Sequence, residues 1–223
     1  MQIWQRVPSS STFAALFFVV TCCLWGEDVL TQRNNNLRAG ASSWPGLDQH
    51  TVRDFQLLAS LPVDGPVLAQ PLVVQILNFR GEQHSVLWVA TATNNIYAFN
   101  ADPPFQQLGP PIYLGPPYAP SSTEVDKLGG GALLTYVDGP NGRYPIIGVE
   151  STPVIDDRRK MMFVGYRRNS GLTGQQRLAA IDITTGVVKR DVAIPGSVTW
   201  HELHRNRASL LLDNNVLYIA FAA

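Results

Sequence analysis

Leu87-Trp88-Val89-Ala90-Thr91 passes through Asn94-Asn95 into Ile96-Tyr97-Ala98-Phe99-Asn100-Ala101, and this stretch decides the fold. Its two short runs are rich in β-branched and aromatic residues, and the residues between them tolerate positive φ. That combination predicts an antiparallel hairpin. Upstream, Ala69-Gln70-Pro71-Leu72-Val73-Val74 supplies a further strand whose Pro sits where a strand accepts one, at its first residue.

The same order of elements recurs. Ser151-Thr152-Pro153-Val154-Ile155-Asp156 leads to Met162-Phe163-Val164-Gly165-Tyr166 and then to Leu178-Ala179-Ala180-Ile181-Asp182-Ile183. Ala208-Ser209-Leu210-Leu211-Leu212 leads through Asp213-Asn214-Asn215 to Leu217-Tyr218-Ile219-Ala220-Phe221. Gln70, Thr152 and Ser209 open three equivalent units, spaced by 82 and 57 residues. The unequal spacing reflects inserted loops. A strand-turn-strand unit in series predicts an all-β fold of antiparallel sheets, a propeller or a solenoid, because one such sheet cannot bury both faces alone. Strands are expected at Leu72–Leu77, Val86–Thr91, Asn95–Asn100, Met161–Tyr166, Leu178–Ile183, Val187–Ile194 and Val216–Ala222. Short helices are expected at Asp48–Phe55 and Trp200–Arg207, with helix at about a tenth to a fifth of the chain.

Composition narrows the function classes. The 223 residues carry 17 basic and 17 acidic side chains, with 15% charged and 45% hydrophobic residues. A balanced charge lacks the basic excess of a nucleic-acid binder, and apolar content this high argues against disorder. Residues 1–26 have one positive charge (Arg6), an apolar run from Thr12 to Trp25 and Gly26 ahead of Glu27-Asp28. These are the parts of a secretory signal peptide, so a secreted or periplasmic protein is expected. An uncleaved anchor is the competing reading, and a membrane enters only if 1–26 is retained. Removal leaves 197 residues with 16 basic and 17 acidic side chains and no cysteine, since Cys22 and Cys23 both lie in the apolar run. Three regions result: a signal peptide at 1–26, a lead-in segment at 27–62, and strand units at 63–223 with a Pro/Gly-rich insertion at 103–145. Seven prolines between 103 and 120 read as extended surface chain.

The segments Val86–Ala101 and Leu178–Val188, with Asp182-Ile183-Thr184-Thr185-Gly186 in the second, resemble the pyrroloquinoline-quinone-type propeller repeat. Arg33-Asn34-Asn35-Asn36-Leu37-Arg38-Ala39-Gly40-Ala41 is similar to the lead-in of exported quinoprotein-like propellers. The resemblance covers about Leu30 to Ala223 and implies quinoprotein-like β-propeller blades, here an incomplete ring of about three repeats. It also implies two function classes. One is an exported binding or interaction module that offers a propeller face to a protein or glycan. The other is a quinone-dependent alcohol or sugar dehydrogenase using pyrroloquinoline quinone and calcium.

Departures from the dehydrogenase pattern favour the module. The adjacent Cys22-Cys23 falls before the first unit, and no Glu/Asn/Asp set has recognisable calcium spacing. No cofactor is therefore expected for this chain. Of Trp44, Trp88 and Trp200, Trp88 lies in a strand and is expected to pack between sheets. His201-Glu202-Leu203-His204 spaces its histidines by three, not the four of a zinc-protease helix. His201 and His204 stand as metal candidates only if a helix places them on one face, and a solvated polar helix is the competing reading. Gly129-Gly130-Gly131 lacks the Lys-Ser/Thr of a phosphate loop, and Asp156-Asp157-Arg158-Arg159-Lys160 reads as a solvent-facing turn. Val216–Ala223 carries no charge and no Pro, so an open strand edge there is expected to associate.

The junction at Gly26-Glu27 predicts an exported product beginning at Glu27; N-terminal sequencing of the secreted protein checks this, and a product beginning at Met1 would contradict it.

Overall fold

The computed structural model describes residues 2–6, 27–41, 53, 55–127, 135–139, 142–171, 174–197 and 204–222. Fourteen strands and one short helix are named among them. Sheet I is a four-stranded antiparallel meander of β3 (Leu72–Phe79), β4 (Glu82–Ala90), β5 (Asn95–Asn100) and β6 (Ile112–Tyr113). Sheet II repeats that order in β9 (Val154–Asp156), β10 (Met161–Asn169), β11 (Gly174–Asp182) and β12 (Val187–Ala193). Sheet III pairs β13 (Leu211–Asp213) with β14 (Val216–Tyr218). Two further hairpins pair β1 (Gln2–Arg6) with β2 (Phe55–Ser60) and β7 (Thr135–Gly139) with β8 (Gly142–Ile146). The protein is all-β, and none of these sheets closes on itself; the arrangement is consistent with an incomplete set of propeller-like blades.

The three units match in register. Two residues after Gln70, Thr152 and Ser209, the residues Leu72, Val154 and Leu211 pair with Trp88, Phe163 and Tyr218. Four residues before them, the carbonyls of Pro66, Gly148 and Arg205 accept bonds from the amides of Ala92, Arg167 and Ala222. The second strands therefore align as Trp88-Val89-Ala90, Phe163-Val164-Gly165 and Tyr218-Ile219-Ala220, an aromatic, a β-branched and a small residue. Smallness has a cause at Gly165, where a Cβ would run into Asn206 Oδ1.

Tight turns explain the strand boundaries. Asn214 and Asn215 both take positive φ (46° and 63°), as a two-residue turn between strands requires. Asn94 does the same between β4 and β5 with φ of 64°.

Packing follows from alternation. Val86, Trp88 and Ala90 join Leu72, Val74 and Phe79 on one face of sheet I, and sheet II meets them with Met162, Val164, Tyr166, Ala179 and Ile181. Trp88 packs edge-on against Phe79 at 5.5 Å, so it lies in the core between the sheets. The other face of sheet I sets Leu87, Val89, Tyr97 and Phe99 against Leu61, Val63 and Val67.

Several expectations need correction. Phe55 opens β2 rather than ending a helix, and residues 48–52 and 54 lie outside the described residues. His204–Arg207 is extended, because Arg205 pairs with Ala222; residues 200–203 lie outside. The one α-helix among the described residues is α1 (Ser122–Lys127), less than expected, and Arg53, within the expected helix at Asp48–Phe55, is in a 3₁₀ turn. A reciprocal cap starts it: Glu124 Oε2 accepts from the Ser121 amide while Ser121 Oγ accepts from the Glu124 amide. The proline-rich stretch is not all surface chain, since Ile112–Tyr113 completes sheet I and Leu114 and Tyr118 are buried. β11 begins at Gly174, ahead of the expected strand at Leu178–Ile183, because the ladder to β10 carries residues 174–177.

Candidate functional site

The three unit openings converge. The Gln70 amide donates to Thr152 Oγ1 at 3.0 Å, and the Leu210 amide donates to the Thr152 carbonyl at 3.1 Å. Segment 27–41 stitches the inner strands together. Val29 exchanges two backbone bonds with Val73, and the Leu30 carbonyl accepts from the Ile155 amide. Asn36 Nδ2 and Arg38 Nη2 donate to the carbonyls of Leu212 and Leu210 at 2.8 and 2.7 Å. The Arg33 amide donates to Gln70 Oε1 at 3.0 Å. The loop bends sharply to do this, with Arg33, Asn34 and Arg38 at φ of 57°, 70° and 55°.

A cleft of about 310 Å³ opens between this loop, β9 and β13. Its apolar lining is Leu30, Val154, Ile155 and Leu212, and its polar lining includes Asn34, Asn35, Asn36, Asp157 and Arg158. Asp156 also lines it and is buried at the end of β9, whereas residues 157–160 form the expected turn, with Arg158 and Arg159 exposed. Arg159 Nη1 donates to Asp156 Oδ2 at 2.6 Å and to Asn215 Oδ1 at 2.9 Å, tying sheet II to the sheet III turn. Burial raises the Asp156 carboxyl, but the hydrogen bonds and charge of Arg159 outweigh it and hold the group below its usual range. Asp182 is also held low, chiefly by the Thr184 hydroxyl.

A second polar arrangement is buried between sheet II and segment 204–206. Arg205 Nε donates to Glu150 Oε2 at 3.1 Å and Nη2 donates to Oε1, with Glu150 only 2% exposed at its side chain. Arg167, 1% exposed, stands 4.2 Å from the Tyr118 ring centroid, and none of its three guanidinium nitrogens has a hydrogen-bond partner. Burial pushes its pKa down, against the opposing pull of Tyr118, Glu124 and Glu150. The equivalent residues of the other units are Ala92 and Ala222, so this guanidinium is a departure from the repeat. Tyr166 beside it in β10 is pushed up to about 12 by burial and by Asp191.

A further cleft of about 390 Å³ is lined by Ile76, Gln83, His84, Ser85, Asn100 and Asp102. Ile76 sits there at φ of 50° in a bulge of β3, a strained setting for a β-branched residue.

Of the residues singled out by sequence, Cys22, Cys23, Trp44, Gly129–Gly131, Trp200 and His201 lie outside the described residues. His204 lies in extended chain, where its carbonyl accepts from Gln176 Nε2 at 2.7 Å. Among the described residues no three of His, Cys, Asp and Glu converge as a metal site, and no helix is long and apolar enough to cross a membrane. Trp88, the described tryptophan of the strand units, is enclosed between the sheets. Sequence reading missed the Glu150–Arg205 pair and the Arg167–Tyr118 contact. The signal available was a charged residue in each of two apolar contexts, Val149-Glu150 and Tyr166-Arg167. No family model, curated protein or solved structure matches the chain.

Arg205→Met is expected to destabilise the fold by about 3–5 kcal/mol, because it strands the Glu150 charge in the interior. Arg167→Met is expected to leave stability unchanged or higher, since no hydrogen bond is lost; urea unfolding of the two variants provides the comparison.

The Asp156 carboxyl gives a pH dependence of fixed sign. Its folded pKa lies below the unfolded value of about 4, so its contribution is present above pH 4 and lost as pH falls through the folded value. Asp156→Asn is expected to be less stable than the parent at pH 7, with the gap closing below about pH 4. Urea unfolding across that range measures it.

Proposed function

We propose that this chain is an exported recognition module, built on quinoprotein-like propeller blades, that binds a glycan in the cleft between segment 27–41 and the inner strands. The observation that carries the reading is the cleft lining. Apolar Leu30, Val154, Ile155 and Leu212 stand beside the amides of Asn34–Asn36, with Asp157 and Arg158 among the remaining polar groups. A sugar ring has an apolar C–H face and a rim of hydroxyls that both donate and accept. Side-chain amides match those hydroxyls in both senses, whereas ammonium groups only donate. The volume falls at the small end of ligand-sized pockets, roughly 300–1,000 Å³.

The blade assignment rests on the register shared by three units and on the repeat-like segments of the sequence. Export rests on the charge and apolar pattern of residues 1–26. A binding role needs only a positioned polar surface. A dehydrogenase needs in addition a quinone stacked and ligated by the protein.

Binding to an array of immobilised glycans, compared between the parent and an Asn35→Ala/Arg158→Ala variant, tests the proposal. Asn35 and Arg158 are exposed, so thermal unfolding is expected to be unchanged while glycan binding is lost. No binding by the parent, or equal binding by the variant, would sink the reading. Dye-linked alcohol oxidation dependent on added quinone and calcium would replace it with the enzyme.

A further inference from the structure

We propose that Arg167 anchors an internal anion site, and that the site takes a planar monoanion, a carboxylate. The residue is 1% exposed, and neither Nε nor either Nη has a hydrogen-bond partner. A guanidinium carries five N–H donors and a fixed charge, and enclosing such a group unpaired is strongly unfavourable. The repeat does not require it. Its counterparts Ala92 and Ala222 make the same backbone bond with only a methyl side chain. The group is nevertheless held firmly. The Arg167 amide donates to the Gly148 carbonyl at 3.2 Å, and the Arg167 carbonyl accepts from Asn94 Nδ2 at 2.9 Å. The Tyr118 ring centroid lies 4.2 Å from the guanidinium carbon, a contact that stabilises the charge and uses none of the N–H groups. Gly174 makes room for the pair, since a Cβ there would run into Arg167 Nε and Tyr118 Cγ. Donors fixed in advance lose little freedom when a guest binds.

The surroundings set the charge of the guest. Glu150 and Arg205 are buried as well, but two hydrogen bonds commit them to each other. Glu124 is partly exposed and accepts from the Tyr118 hydroxyl and the Ser121 amide. Among the described residues, the buried charges of this layer are Glu150, Arg167 and Arg205, which leave one positive charge in excess. Water can accept from the N–H groups but leaves that charge uncompensated, whereas a monoanion cancels it. A dianion such as phosphate would be opposed by Glu124 and Glu150, both near enough to pull the Arg167 pKa upward. Among monoanions, the guanidinium fork selects two oxygens in one plane, which is carboxylate geometry. The inference does not depend on the glycan reading, whose cleft is lined by other residues.

Urea unfolding of the full chain in a sodium formate series tests the proposal, with a sodium fluoride series as the control for ionic strength. An anion that binds only the folded chain raises the folding equilibrium constant in proportion to its concentration once above Kd. The parent is therefore expected to gain about tenfold for each tenfold rise in formate. Arg167→Met is expected to respond to formate no more than to fluoride. Arg167→Lys keeps the charge without the fork and is expected to respond less than the parent. Line broadening of ¹³C-formate by the folded parent, reversed by unlabelled formate, reads the site without any variant. Sodium glucuronate separates the two sources of a carboxylate: a response to both anions assigns the site to an acidic group of a larger ligand, and a response to formate alone assigns it to a free small ion. A parent that responds to formate no more than to fluoride and does not broaden its signal overturns the proposal. So does a response in either variant equal to that of the parent.

Discussion

Five consecutive side chains of β4, Val86 to Ala90, are buried, so sheet I has no face to give to water at its centre. A strand alternates its side chains between two faces, and a run like this can be dry only if something packs on both. Sheet II covers one face through Met162, Val164 and Ile181; the segment from Ala59 to Val67 covers the other. Everything else in the molecule follows from supplying those two covers. Burial of this apolar surface is the dominant favourable term, at roughly 25 cal/mol per Å².

Stacked sheets must also be held at their ends, and Thr152 does this with two acceptor atoms. One receives an amide from the opening of sheet I and the other an amide from the opening of sheet III. Segment 27–41 reinforces the junction with side-chain amides and a guanidinium aimed at strand carbonyls. The cleft exists because this irregular segment crosses the inner strands without filling the space beside Val154 and Leu212. A rigid β scaffold with an irregular loop over its end is a common way to place recognition groups, since the loop varies while the sheets stay fixed.

Comparison of the units separates scaffold from specialisation. The aromatic, β-branched, small triplet recurs in all three, and Trp88, Ala90 and Val164 of it lie in the core between sheets I and II. Arg167 stands apart, because its counterparts are alanines and its guanidinium is buried without hydrogen bonds. Glu150 and Arg205 likewise form a buried pair bridging the second unit to the third. A buried ion pair adds little net stability over apolar packing, but it penalises any arrangement that separates its members.

Local chemistry determined much of the fold in the sequence itself. Period-two runs ending at Asn94 and at Asn214-Asn215 marked the hairpins, and the equivalence of Gln70, Thr152 and Ser209 was visible from element order alone. Those signals are local, because a strand and its turn are set by side chains within a few residues. The tertiary structure decided what depends on distant partners. Arg205 meets Ala222 and Glu150 rather than helical neighbours, so the expected helix at Trp200–Arg207 is extended where it is described. Ile112–Tyr113, inside a proline-rich stretch, becomes the fourth strand of sheet I because Asn95 and Ile96 present an open edge to it. The cleft was illegible for the same reason: its walls come from residues near 30, 155 and 212, which only the stacking of separate sheets brings together.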